Sequence, residues 1–148
     1  MPLHKRYMRK IEVKVNELMS APPVTVALDS SLEDAVRKMI EGNVGSVMVT
    51  DSDRRLRGII TEKDVLIAVS KGLLKKEETK VTDIMSRNVI AVTPDDVISE
   101  VIEKMRAHNI RHIPVTDYEG RPVGMISIRD ILDFTTSYLK VLLLPEEI

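Results

Sequence analysis

Along this chain the spacing of apolar residues switches between two periods, and it does so twice in the same order. "VTVA" (24–27) is short and rich in β-branched residues, which predicts a strand. Leu32, Ala35, Val36, Met39 and Ile40 then recur at helical spacing. Ser30 and Glu33 stand as a capping box ahead of that stripe. "SVMVT" (46–50) predicts a second strand, "DSDRRLRG" (51–58) a turn, and "GIIT" (58–61) the returning strand of a hairpin. Residues 62–70 follow as an apolar helix. The order then returns. "IAVT" (90–93) predicts a strand, and Ile98, Val101, Ile102 and Met105 predict a helix, with Asp96 or Thr93 as its cap and Pro94 tolerated in its first turn. "HIPVT" (112–116), the turn "DYEGRPVG" (117–124) and "GMIS" (124–127) make a second hairpin, and a helix runs from 128 to about 143.

The recurrence is a duplication. A shift of 66 lays residues 15–66 over 81–132 without a gap. Sixteen aligned pairs are identical, among them Met19/Met85, Ser20/Ser86, Asn43/Asn109, Asp51/Asp117, Gly58/Gly124 and Asp64/Asp130. Ordinary composition gives about three by chance. The expected class is α/β (α+β), two βαββα repeats. Each repeat, about 55 residues, is marginal alone, so the aliphatic faces are expected to pack together about a pseudo-two-fold axis. The organisation reads as a basic arm (1–12), a first repeat (13–70), a charged connector (71–80), a second repeat (81–134), and a helix extension with tail (135–148).

The repeated phrases "GIITEKD" and "GMISIRD" carry the candidate chemistry. Thr61-x-x-Asp64 and Ser127-x-x-Asp130 fit helix starts, with the hydroxyl as cap and the aspartate at the positive end of the dipole. A helix start also presents unpaired N–H groups to an anion. Lys63 and Arg129 adjoin the aspartates, and Arg111 and His112 open the second hairpin. At the matching positions the first copy has Gly45 and Ser46, which leave room for a ligand. A carboxylate can take both hydroxyls of a ribose, and cations with helix amides can take phosphate. The set suits a nucleotide.

With "DIMS…VIAV…RHIPVTD…GMISIRD" and its copy "ELMS…VTVA…GSVMVTD…GIITEKD", the chain resembles a tandem pair of CBS domains, the Bateman module, over about residues 13–134. The resemblance implies clefts for AMP, ADP, ATP or S-adenosylmethionine, with no cofactor required. It places ribose on Asp64 and Asp130, and phosphate near Thr61, Ser127, the helix starts (Lys63, Ile128, Arg129), Arg111 and His112. It frames adenine with main chain of Pro23, Val24 and Thr25 in one cleft and of Val89, Ile90 and Ala91 in the other. The first copy departs from the pattern: Met48 replaces the usual proline and Gly45-Ser46 bring no charge, so the Asp130 cleft is expected to be the stronger.

Composition narrows the alternatives. Of 148 residues 43% are hydrophobic, only four are aromatic (Tyr 3, Phe 1), and net charge is −1. That balance gives no bulk electrostatic case for nucleic acid or a membrane surface. Lys5, Arg6, Arg9, Lys10 and Lys14 crowd the first fourteen positions, and the basic arm keeps a nucleic-acid reading open. Cysteine is absent, which removes disulfides and thiolate metal sites. Glutamine is absent and 30% of residues are charged, a composition that leans towards a thermophile. No apolar run approaches a membrane span and the start lacks a signal-peptide h-region, so a cytoplasmic protein is expected. His4, His108 and His112 have no metal-site spacing, and no nucleophile–base set appears, so no enzyme is expected. Ile131, Leu132, Phe134, Tyr138, Leu139, Leu142 and Leu143 fit either an intramolecular core helix or a homodimer contact. The leading expectation is an adenine-nucleotide sensor read by an unidentified target protein. A ligand-independent dimerisation scaffold is the rival.

Overall fold

The computed structural model describes residues 12–75 and 78–143. The basic arm with His4, apart from Glu12, and the tail from 144 lie outside the described residues. The element order is α1 (Val15–Leu18), β1 (Thr25–Ala27), α2 (Leu32–Gly42), β2 (Ser46–Thr50), β3 (Leu56–Thr61), α3 (Glu62–Ser70), a 3-10 turn (Leu73–Lys75), α4 (Val81–Ile84), α5 (Ile98–His108), β4 (His112–Thr116), β5 (Pro122–Ser127) and α6 (Ile128–Leu143). In the first repeat β1 pairs parallel to β2, and β2 antiparallel to β3. In the second, β4 and β5 form the hairpin. "IAVT" does not form the expected strand; its trace is one parallel bridge, Val92 to Val115. Pro114 accepts from Val92 N–H at 3.0 Å, but no second residue of the run extends the ladder.

Paired positions of the duplication do paired structural work. Asn43 and Asn109 end α2 and α5 in the left-handed conformation (φ 50° and 51°), which asparagine tolerates better than most residues. Asp51 Oδ1 accepts from the amides of Asp53 and Arg55, and Asp117 Oδ1 from those of Glu119 and Arg121, closing both hairpin turns. Two capping expectations are corrected. The cap of α2 is Ser31, whose hydroxyl accepts from Asp34 N–H, one residue later than Ser30 and Glu33 imply. The cap of α5 is Val97, without a side-chain bond, because Asp96 is turned to the amide of Thr93 instead.

The two repeats exchange their entry segments. One core gathers Val26, Leu32, Ala35, Met39, Val47, Val49, Ile60 and Ala68 from the first repeat, and is completed by Val81 and Met85 from the start of the second. The other gathers Val92, Ile98, Val101, Met105, Ile113, Val115, Ile126 and Ile131, and is completed by Val15 from the start of the first. Main chain fixes the crossing: Ser20 and Met125 exchange two bonds (2.8 and 3.0 Å), and Ser86 and Ile59 exchange two (3.0 and 3.1 Å). The connector joins in: Leu73 and Leu74 pack on the first core.

Glycine is required at both crossings. A Cβ on Gly58 would lie 2.5 Å from Met85 Sδ and 2.8 Å from its Cγ. One on Gly124 would lie 2.8 Å from Met19 Sδ and 2.9 Å from the carbonyl oxygen of Ser20. Gly58→Ala and Gly124→Ala are each expected to lower unfolding stability by about 1–3 kcal/mol in denaturant titrations, the usual cost of overpacking. Shortening Met85 to alanine should relieve part of the Gly58→Ala loss in a double-mutant cycle. Shortening Met19 should relieve less of the Gly124→Ala loss, because the Ser20 carbonyl remains in the way.

Candidate functional site

The two Thr/Ser-x-x-Asp turns form at equivalent places, where β3 runs into α3 and β5 into α6. Asp64 Oδ2 accepts from Thr61 N–H (2.8 Å) and the Thr61 hydroxyl (3.1 Å). Asp130 Oδ2 accepts from Ser127 N–H (2.8 Å) and the Ser127 hydroxyl (2.9 Å). Each turn therefore commits one carboxylate oxygen to its own cap. The other oxygens differ. Asp130 Oδ1 accepts from the hydroxyl of Ser20 at 3.1 Å, across the crossed entry segment. Among the described residues Asp64 Oδ1 has no such partner.

The strand register sets the neighbours of these caps. His112 lies opposite Ser127, and Ser46 lies opposite Thr61. Ile128 N–H donates to the Arg111 carbonyl at 2.9 Å, as Glu62 N–H does to that of Gly45 at 3.1 Å. Arg111, Lys63, Ile128 and Arg129 are exposed, whereas Ser46 is buried beneath the first turn of α3. His112 also reaches across to the other repeat: a Cβ on Gly45 would meet its Cε1 at 2.9 Å and Glu62 Oε1 at 2.8 Å. An imidazole of one repeat and a carboxylate of the other thus converge where Gly45 carries no side chain.

The segments assigned to adenine are half-buried in both copies: Pro23, Val24 and Thr25, and Val89, Ile90 and Ala91. Val24 O accepts from Met48 N–H at 3.1 Å and Thr25 O from Lys38 Nζ at 3.1 Å, so part of that main chain is already engaged. The crossing brings the entry of the first repeat, at Ser20, to Asp130, and that of the second, at Ser86, to β3 just ahead of the Asp64 turn. Ser20 is the residue that reading the sequence missed. Its one signal was identity with Ser86 across the duplication; nothing in the order of residues says that it crosses to the other half.

Two depressions open nearby. An open groove of about 530 Å³ runs between α2 and α3, with Gly45, Glu62 and Arg129 at its polar end and Val36, Ile40, Val65 and Leu66 along its walls. A second, of about 590 Å³, lies between β1, α2 and the first hairpin turn, with Asp34, Arg37, Lys38, Asp51 and Arg54 among its lining. Neither Asp64 nor Asp130 lines it. No group of three or more His, Asp or Glu among the described residues has the geometry to hold a metal ion.

A model of the CBS domain family matches residues 15–71 and 81–136. The chain is similar to a CBS domain-containing protein of Dictyostelium discoideum, 30% identical over 139 residues, covering 88% of this chain and 96% of that one. Among solved structures it is similar to the CBS domain pair of protein MJ0100 in complex with 5′-methylthioadenosine and S-adenosyl-L-methionine. That match has TM-score 0.80 and 29% identity, and covers 86% of this chain and 99% of that one. It is also similar to the CBS domain protein PAE2072 from Pyrobaculum aerophilum complexed with AMP, with TM-score 0.74, 29% identity, and 84% and 99% of the two chains covered.

Burial lowers the His112 pKa below its ordinary 6.5; the carboxylates of Glu62 and Asp130 pull it back up, and Arg111 lowers it further. The fold therefore favours the neutral ring. The unfolded chain takes up a proton first as pH falls through 6.5, so stability is full above that pH and declines below it. The turn aspartates act in a separate window. Amide bonds, first from Arg55 and from Arg121, hold Asp51 and Asp117 below 3.8, and that contribution is lost only as pH falls through the carboxylate range. A melting-temperature series is expected to slope downward from pH 6.5 towards 5, and His112→Gln should flatten that portion while leaving the acid limb below pH 4 unchanged.

Proposed function

The chain belongs to the CBS domain family, with two copies in tandem, and from that premise we propose that it is a non-enzymatic regulatory module that binds an adenine nucleotide between its repeats and passes the ligand state to a partner protein. One observation carries the reading: each repeat commits one aspartate oxygen to a helix cap, and in the second repeat the other oxygen, Asp130 Oδ1, meets Ser20 of the crossed entry segment. AMP, ADP and ATP are the proposed ligands, with S-adenosylmethionine as a relative, and no cofactor is needed. The AMP, S-adenosylmethionine and 5′-methylthioadenosine named with the two similar structures support an adenosine site. The ribose hydroxyls would donate to Asp130 Oδ1 in place of the Ser20 hydroxyl. The phosphate would take the first-turn amides of α6 together with Arg111 and His112. Phosphate beside His112 favours its charged form, so nucleotide binding takes up a proton there. Asp64 with Thr61 is the matching ribose contact in the other cleft.

Signalling follows from the same contact. A ligand that displaces Ser20 acts directly on the segment that crosses between the repeats, and so shifts the population of module arrangements by its differential affinity. The proposed setting is cytoplasmic; no helix among the described residues is long and apolar enough to cross a membrane.

A homodimer is the second reading, and the exposure of α6 favours it. The intramolecular-core alternative for this helix is overturned: only Ile131 is buried, while Leu132 (56%), Phe134 (39%), Tyr138 (44%), Leu139 (45%) and Leu142 (60%) stay exposed. Leu66, Ile67 and Val69 of α3, the counterpart of α6 in the first repeat, are exposed too. A two-fold contact sets one patch against the same patch of a second copy, and α3 and α6 each offer a bare apolar face for it.

In a thermal-shift panel, AMP at a hundredfold excess over its dissociation constant should stabilise the protein by about 2.7 kcal/mol. Asp130→Ala should remove most of that shift, and 2′-deoxy-AMP should give less of it than AMP. A flat response to AMP, ADP, ATP and S-adenosylmethionine alike would sink the sensor reading. Light scattering should find a dimer that Leu139→Glu with Leu142→Glu converts to monomer; a monomeric parent protein would remove the second reading.

A further inference from the structure

The duplication makes every difference between the two clefts a difference of side chain on a shared frame. Glu62 occupies the position of Ile128 at the first turn of the helix. Gly45 and Ser46 occupy those of Arg111 and His112. The backbone at these places is the same in both copies, since Glu62 and Ile128 make the same bond to the preceding strand entry. The charge is not. At the matched positions the Asp130 copy carries Arg111, His112 and Arg129, and the Asp64 copy carries Glu62 and Lys63; His112 and Arg129 also come near Glu62 from the other repeat.

The place taken by Glu62 sharpens the contrast. Its Oε1 lies 2.8 Å from where a side chain on Gly45 would begin, the point from which Arg111 extends in the other copy. An anion therefore stands where the matched cleft roots a cation. Arg129 borders the same groove, yet no ion pair between it and Glu62 forms among the described residues. His112 is the other close neighbour of the carboxylate.

Resting on the nucleotide-cleft reading above, we infer that Glu62 makes the Asp64 cleft reject 5′-phosphates and accept adenosine compounds whose 5′ group is uncharged or cationic, leaving phosphorylated nucleotides to the Asp130 cleft. The physical ground is like-charge repulsion. A phosphate at the first turn of α3 would sit within several ångströms of a carboxylate that forms no ion pair among the described residues, a penalty that a thioether escapes and a sulfonium or ammonium reverses. Specificity here comes from an unfavourable element built against one ligand class. One chain would then report two adenosine pools, with Asp64 and Asp130 as equivalent sugar contacts and the first-turn residue as the selector.

The test is calorimetric titration of the full-length chain with AMP, adenosine and S-adenosylmethionine. In Asp130→Ala, with Asp130→Asn as a second variant that keeps an acceptor at the cap, S-adenosylmethionine or adenosine should still bind at one per chain and AMP at least about tenfold more weakly. Adding Glu62→Gln to that background should restore AMP by about tenfold while leaving adenosine within twofold, and Glu62→Ile should do the same. Asp64→Ala should abolish the S-adenosylmethionine or adenosine site and spare AMP. The inference is overturned if the Asp130 variants bind AMP as tightly as adenosine, or if neither Glu62 variant changes the preference. Those outcomes leave the nucleotide-cleft reading standing. Absence of binding by any of the three compounds to the parent chain removes that reading and this inference together.

Discussion

The exchange of entry segments is the contact on which the rest depends. Ser20 pairs with Met125 and Ser86 with Ile59, and beneath each pairing a glycine, 124 or 58, leaves the space that a methionine side chain fills. Val15 and Val81, fully buried, then finish cores that belong to the opposite repeat. Neither hydrophobic cluster is complete from one repeat's own residues. The fold is thus specified as a pair, and the pseudo-two-fold relation is enforced by main chain as well as by apolar packing. The hairpin turns add a further link, with Leu56 N–H on the Gly120 carbonyl and Arg121 Nε on that of Asp53.

The crossing also explains why the candidate clefts sit where they do. A Thr/Ser-x-x-Asp turn by itself is a helix start, and both copies use it as one. What changes its character is a second chain segment laid across it. Ser20 comes from more than a hundred residues upstream to meet Asp130, and only the exchange puts it there. The carboxylate then belongs at once to a cap and to a contact between repeats, so a ligand that took it, as proposed above, would act on the arrangement of the pair.

Much of this was legible in the sequence because its signals are local or repeated. The period-two and period-3.6 runs locate β2, β3, α2, α3, α5 and α6, and the duplication identifies Asp64 and Asp130 together. What was not legible is non-local or balanced by competition. "IAVT" has strand composition but yields a single bridge, since β-propensity reports fit to a paired neighbour more than an intrinsic preference. Ser30 and Asp96 were plausible caps, yet Ser31 and Val97 hold those positions because the turn geometry ahead of each helix decides which residue comes first. Ser20 and the exchanged cores need the three-dimensional path. Periodicity alone leaves the exposed stripe of α6 open between core and contact with a second copy, because a helix that packs on its own chain and one that packs on another have the same pattern.

The exchange has a consequence for how the two copies diverge. A protein whose halves complete one another is in effect a two-subunit assembly joined by a tether, and a short tether holds its ends at millimolar effective concentration. Two free subunits of one sequence must keep a self-complementary surface, and any change appears on both sides at once. Once tethered, each half answers only to its neighbour, and a substitution such as Glu62 opposite Ile128 can be made on one side alone. The connector at 71–80 is therefore more than a spacer: it releases the pair from symmetry, and two unlike binding sites on one frame become possible.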